Sequence, residues 1–209
     1  MRPEYKVNAK IAILICSIVL FCSLFSLFPS RNSGLHETDA LEKYIETKDS
    51  LYNSLVNDVD DYIKNSAPKS KINAQAIVDA CLEHKINLSF VLAQAQLESN
   101  FGTAGIAKKT NSVWNVNSYD GRSAEYIIKN KLGYSHPDES IIPYINLLKT
   151  KYLVNKSEEH LLQNFVSTTG HRYASNKEYE KLLNNIYKKI SQSSIQSLFE
   201  EYRDLPEFV

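Results

Sequence analysis

The chain has 209 residues, 43% of them apolar and 23% charged, with Lys+Arg and Asp+Glu balanced at 24 each. Such a length allows one domain of ordinary size with flanking segments, and the composition is that of a folded chain. A zero net charge argues against wholesale attraction to nucleic acid, though not against a local basic or acidic groove, and no nucleic-acid partner is expected.

Residues 1–10 carry Arg2, Lys6 and Lys10, and residues 11–28 (IAILICSIVLFCSLFSLF) carry no charge and no strong helix breaker. At about 1.5 Å rise per residue, an apolar helix of that length just spans a hydrocarbon core. The basic flank then puts residues 1–10 in the cytoplasm and everything after 28 outside it. The expectation is a membrane-anchored, single-pass protein with a periplasmic or otherwise extracytoplasmic domain. A signal sequence is the alternative, uncleaved or cleaved. Against cleavage stand the length of the apolar run and the lack of a small-x-small site after it.

A polar break at 30–34 leads into Leu41, Tyr44, Ile45, Leu51, Leu55, Val59, Tyr62 and Ile63. Their recurrence about every 3.5 residues predicts an amphipathic helix. Residues 35–66 therefore read as a helical spacer that holds a domain off the bilayer, or as an extra helix packed on that domain. Ala67-Pro68 ends it. The main domain is expected over 67–192, with a short helix near 194–203 inside a closing segment, 193–209.

Within the domain, helical patterns occupy about 73–84, 88–100, 137–151 and 158–168. Pro137 is placed to open the third and Pro143 to break it. Ser175-Asn176-Lys177-Glu178 has the form of a capping box, followed by the stripe Tyr179, Leu182, Leu183, Ile186, Tyr187 and Ile190. From Gly102 to Ser135 the periodicity fails, and Asn, Ser, Gly and single aromatics suggest a loop-rich lobe with short strands. The fold class is mainly α, with no repeats. Cys81 is alone after the apolar run, so it has no disulfide partner there and reads as a small buried residue. With no CxxC, HExxH or paired-His motif, neither metal nor cofactor is expected.

Chemistry is most legible in Asn87 to Gly102, NLSFVLAQAQLESNFG, where Ile86 through Leu97 carry no charge. At 100° per residue, Leu88, Val91, Leu92, Ala95 and Glu98 share a face while Phe90 and Leu97 lie opposite. A helix apolar on two sides is central in its domain, and this one ends in a single carboxylate. Burial raises a carboxyl pKa, which lets a Glu stay protonated and donate to a glycosidic oxygen. The bland alternative is a Glu that points into solvent or pairs with Lys. Its place near a helix C-terminus opposes the dipole, a cost that a functional residue can carry.

The string LAQAQLESNFGTAG resembles the catalytic helix of glucosaminidase domains, glycoside hydrolase family 73, which ends in A-x-x-E-S-x-[WF]-G. Three more stretches match in order: Asn111-Ser112-Val113-Trp114-Asn115-Val116, an asparagine-aromatic loop; Tyr134-Ser135 with Glu139-Ser140 and Tyr144; and GHRYASNKEY from Gly170 to Tyr179. The last departs from the family's G-x-YATDPxY by one inserted residue and by Asn-Lys for Asp-Pro. The resemblance covers about 72–190.

That resemblance implies a lysozyme-like helical core with a small irregular or β lobe. It also implies peptidoglycan as partner, and hydrolysis of the β-1,4 bond between N-acetylglucosamine and N-acetylmuramic acid. Glu98 matches the general acid, and Tyr173 the YAT tyrosine that supports the transition state or the acetamido group. Gln94, Ser99, Phe101, Trp114, Asn115 and Tyr119 are the implied substrate contacts, Trp114 having a core aromatic as its alternative. Asp120, then Glu125, are candidates for a second acid in the short lobe, and Glu139 is explained by its place in a first helical turn. Two rival readings remain. One is a lytic transglycosylase using one Glu, and the other a membrane-tethered wall-binding module without activity. Remodelling of a bacterium's own wall and lysis by a phage endolysin both fit.

Overall fold

The computed structural model describes residues 33–118 and 124–206, with side chains from 38 onward. Segment 11–28, expected to cross a membrane, lies outside the described residues. Among those described, no helix is long and apolar enough to do so. The helices are α1 (Ser33–Ser66), α2 (Ala74–His84), α3 (Leu88–Ser99), α4 (Ala107–Thr110), α5 (Ile141–Leu147), α6 (Glu158–Leu161), α7 (Tyr179–Ser191) and α8 (Ser194–Arg203). A 3₁₀ turn, Pro137–Ser140, precedes α5, and a π turn, Leu148–Tyr152, continues it. The described sheet is one antiparallel pair, β1 (Tyr126–Ile128) with β2 (Lys131–Gly133). The chain is thus mainly helical with a small β element.

Contacts divide the chain into Met1–Ile45 and Glu46–Val209. In the second unit, Leu55, Val59 and Ile63 of α1 belong to the same core as α3, and so do Ile195 and Phe199 of α8. From Glu46 onward, α1 is therefore a packed helix rather than a free spacer, and the expected boundary at 67 falls inside a continuous core.

α3 is the centre of that core. Leu88 through Ala95 are all buried, and the helix packs most extensively on α7. Full burial of each Leu, Phe or Val side chain contributes about 1.5–3 kcal/mol. Side chains define its N-terminus: the Asn87 carbonyl oxygen accepts from the Phe90 amide at 3.0 Å, and Asn73 does the same for Gln75 at the start of α2, at 2.9 Å. Such caps satisfy amides that the first helical turn leaves unpaired. After Ser99 three successive residues, Asn100, Phe101 and Gly102, adopt φ of 47°, 55° and 82°. This left-handed run stops the helix and swings the chain away. The bulky Phe101 tolerates it while fully buried, edge-on to Tyr62 at 6.1 Å.

Three local expectations are corrected. The capping box does not form: Asn176 accepts from the Glu178 amide at 2.9 Å, and α7 begins at Tyr179. The helix expected over 158–168 ends at Leu161, because Val166 leaves to bridge Arg172. The break expected at Pro143 occurs earlier, as a 3₁₀-to-α change at Ser140/Ile141. Pro143 itself sits in the first turn of α5, where a missing amide costs least.

Trp114 is fully buried, stacked on Tyr144 at 4.5 Å and 9°, with its indole N–H donating to the Val91 carbonyl at 3.2 Å. It offers no face to a sugar, and the core alternative holds. Trp114→Ala should cost about 3–5 kcal/mol of stability, as large aromatic-to-Ala changes in cores do. Urea denaturation measures this. The milder Trp114→Phe should lose stability while leaving substrate KM in place, and a raised KM in a folded Trp114→Phe protein would restore the sugar-binding role.

Candidate active site

Glu98 lies in the last turn of α3, half-buried, facing a cleft of about 230 Å³. Four other parts of the chain reach the same cleft. Asn115 and Asn117 come from the loop after α4, Lys131 from β2, and Tyr152 and Tyr173 from the π turn and the loop before α7. The hairpin that delivers Lys131 turns through Lys129 and Asn130, at φ 48° and 62°. Two positive values are what a tight two-residue hairpin needs.

Hydrogen bonds hold the acid. The Tyr179 hydroxyl, from the first turn of α7, donates to Glu98 Oε1 at 2.6 Å. The Asn115 amide donates to the Glu98 backbone carbonyl at 2.7 Å, tying the loop to the end of α3. Lys131 Nζ donates to the Asn115 carbonyl at 2.8 Å and to Asn117 Oδ1 at 2.5 Å. Burial pushes the Glu98 carboxyl above its usual range. The Tyr179 hydroxyl, the Asn115 amide and the Lys131 charge each pull it back, and burial wins. Burial also pushes the Tyr173 and Tyr179 phenols well up, with the Glu98 carboxyl adding to the effect, so both stay neutral. A carboxyl raised by burial holds its proton to higher pH than a solvated one, and here it stands beside neutral hydrogen-bond donors.

Three expected site residues meet here: Glu98, Asn115 and Tyr173. Tyr173 donates its hydroxyl to the Trp114 carbonyl at 3.1 Å, not to the acid, and its ring stacks on Phe165 at 4.5 Å. Four expected substrate contacts are core instead. Gln94, Phe101 and Trp114 are fully buried, and Ser99 is 1% exposed. Ser99 donates to the Val113 carbonyl at 2.6 Å and accepts from the Gly102 amide at 2.8 Å, so it shapes the turn below the acid. Glu125 does not line the cleft: its carboxylate, like that of Glu139, is 2.9 Å from the Ser135 hydroxyl. Tyr119 and Asp120 lie outside the described residues.

Sequence reasoning missed Tyr179 and Lys131. Tyr179 was legible only as the start of an apolar stripe, although it closes the GHRYASNKEY stretch. Lys131 gave no signal, since only hairpin pairing brings it to the acid. Among the described residues no group of His, Cys, Asp and Glu side chains converges to hold a metal ion.

The end of the central helix thus carries an acid raised by burial, beside a polar cleft. The family model described as mannosyl-glycoprotein endo-β-N-acetylglucosaminidase, the glucosaminidase family, matches residues 74–192. The chain belongs to that family. That family is one of glycoside hydrolases, and peptidoglycan hydrolysis goes with it at family level. It is also similar to falcipain-3 of Plasmodium falciparum, at 24% identity over 193 residues, which is 88% of this chain and 35% of that protein. The chain thus spans about a third of that relative, and no residue role follows from the likeness.

The raised Glu98 carboxyl has a consequence for stability. Below its ordinary value near 4.5 the group is neutral in folded and unfolded chains alike and contributes no penalty. As pH rises past that value the unfolded chain ionises first, and stability drains away until the folded value is passed. Glu98→Gln should therefore melt above wild type at pH 7, with the gap closing as pH falls below about 4.5. Parallel Tm curves for the two proteins across that range would show the carboxyl to be solvated.

Proposed function

We propose that this domain hydrolyses the β-1,4 bond between N-acetylglucosamine and N-acetylmuramic acid in peptidoglycan, with Glu98 as general acid. The observation that carries this reading is the Glu98 carboxyl itself, held by Tyr179 at 2.6 Å beside a polar cleft, with burial pushing it up. Glu98 gives its proton to the bridging oxygen as the bond from the sugar's anomeric carbon to that oxygen breaks. Positive charge then develops on the ring, and the new carboxylate faces Lys131 across the cleft. Water supplies the hydroxyl that completes hydrolysis.

Support for the opposite face of the sugar comes from the substrate's own acetamido group or from a second acid, for which Asp120 is the candidate. Asn115 Oδ1 is buried and accepts no hydrogen bond from the described residues. Lining the cleft, it suits an acetamido N–H or a sugar hydroxyl. Tyr173, also in the lining, presents its phenol beside the same space. The apolar run at 11–28 supports anchoring the enzyme in a membrane, with this domain on the far side from the cytoplasm.

A lytic transglycosylase is the second reading. It is favoured by one observation: among the described residues Glu98 is the one carboxylate lining the cleft. That chemistry needs one acid and no water.

Glu98→Gln should fold and lose about 10²–10⁴-fold in release of soluble fragments from purified peptidoglycan, the usual worth of a positioned acid. Fragments from the wild-type digest should carry reducing-end N-acetylglucosamine by mass spectrometry. Anhydro-muramic ends would select the transglycosylase instead. Full activity in the Gln variant would remove Glu98 from the reaction, and retention on peptidoglycan without any release would leave a binding module.

A further inference from the structure

Gln94 sits one turn before Glu98 on α3, fully buried, yet it is the hub of a hydrogen-bonded chain that ends on the acid. Tyr144, also fully buried and pinned by its stack on Trp114, donates its hydroxyl to Gln94 Oε1. Gln94 Nε2 donates to the Tyr179 oxygen at 3.2 Å, and the Tyr179 hydroxyl donates to Glu98 Oε1 at 2.6 Å.

The direction of this chain follows from counting donors and acceptors. A phenol has one proton to give, an amide nitrogen only donates, and an amide oxygen only accepts. Tyr144 lies in the core, where Gln94 Oε1 is the acceptor its proton uses. Turning the amide over would strand that proton among apolar side chains, and a buried donor without a partner is costly. The Gln94 oxygen therefore stays on Tyr144, and its nitrogen must face Tyr179. An N–H arriving at the Tyr179 oxygen leaves the phenol proton free to point one way, to Glu98. Tyr179 cannot then take the acidic proton of Glu98 through a hydrogen bond in the reverse sense.

We infer that Gln94 is a positioning residue for the proposed glycosidase. Through Tyr179 it reserves Glu98 Oε1 as an acceptor, so that the transferable proton resides on Oε2. This deepens the hydrolase reading and rests on it. It gives a role to a glutamine that touches no substrate, and it assigns the acid's two oxygens different duties. The other groups facing the acid do not set this direction. Lys131 acts on the carboxyl through its charge, Tyr173 donates to the Trp114 carbonyl, and Tyr152 is a further part of the cleft lining.

The test combines kinetics with a readout that needs no substrate. In full-length protein carrying ¹³C at the Glu side-chain carboxyls, the Glu98 resonance is the one absent from Glu98→Gln, and its titration is followed by NMR. Gln94→Leu frees Tyr179 to turn away from the acid. The Glu98 midpoint should then move upward, because a hydrogen bond that favoured the carboxylate is lost. The high-pH limb of the kcat profile should move with it. At pH 7, kcat should fall about 10–100-fold, the worth of a hydrogen bond to a charged group, with KM within about twofold of wild type.

Tyr144→Phe removes one buried hydroxyl and lets the amide turn. It should shift the same midpoint upward by less, and it carries the test if Gln94→Leu fails to fold by circular dichroism. If the folded variants keep the wild-type Glu98 midpoint and pH profile, Gln94 is packing alone and the inference is overturned. If wild type releases no fragments from peptidoglycan, the hydrolase reading falls on its own, while the NMR titration still decides whether the chain orients the acid.

Discussion

A carboxyl group has to sit where water is scarce without dismantling the helix that carries it. The domain meets this by surrounding α3 on every side and giving it no charge until its last turn. The cost of burying Glu98 is spread over partners that each satisfy one polar atom: Tyr179 at the carboxyl, Asn115 at the backbone carbonyl, Ser99 beneath the following turn. None of these partners is a counter-charge in direct contact. A close ion pair would have lowered the carboxyl far more than a phenol does.

The fold follows from the same need. α7 packs on α3 so that its first residue, Tyr179, arrives over Glu98. Where α7 starts is therefore chemically important. Had the Ser175 capping box formed, the helix would begin a turn earlier and the register of Tyr179 on α3 would change. The loop from Gly170 to Glu178 stays out of the helix instead, bridged by Val166 with Arg172 and closed by the Asn176 side chain. Phe165, Tyr173 and Tyr179 form a run of ring contacts that connects this loop to the core. Cleft wall and core are continuous, which holds Tyr173 and Tyr179 on rigid elements rather than on free loops.

The helices that position the acid were legible in the sequence because their signals are local. An uncharged stretch between Asn87 and Glu98 announces a central helix, and the 3.5-residue stripe through Leu55, Val59 and Ile63 announces an amphipathic one, though not whether it packs on the domain. Glu98 stood out for the same reason, as the first charge after that stretch. What failed to show is whatever depends on contacts between distant segments. Trp114, Phe101 and Gln94 are the residue types that meet sugars, and only packing reveals that they meet Tyr144, Tyr62 and two phenols instead. Lys131 has no local signature at all. A lysine immediately after a turn is ordinary until the hairpin's register sets it beside Asn115.

Lys131 also bears on how the electrostatics of the cleft are balanced. A cation near an acid that must hold its proton works against that acid in the ground state, and its charge does lower the Glu98 carboxyl. On the proposed reaction the balance reverses once the proton leaves. The carboxylate then forms in a site of low effective dielectric, where a charge already in place is worth more than in water. Lys131 is so placed: β2 carries it, and the Asn115 carbonyl and Asn117 side chain hold its ammonium group. Its attraction grows from nearly nothing with the neutral acid to a full charge pair with the product carboxylate, so it favours the transition state over the resting enzyme. Burial raises the Glu98 carboxyl, and on the proposed reaction Lys131 lowers the cost of releasing its proton. The two influences oppose each other in the pKa and cooperate along the reaction.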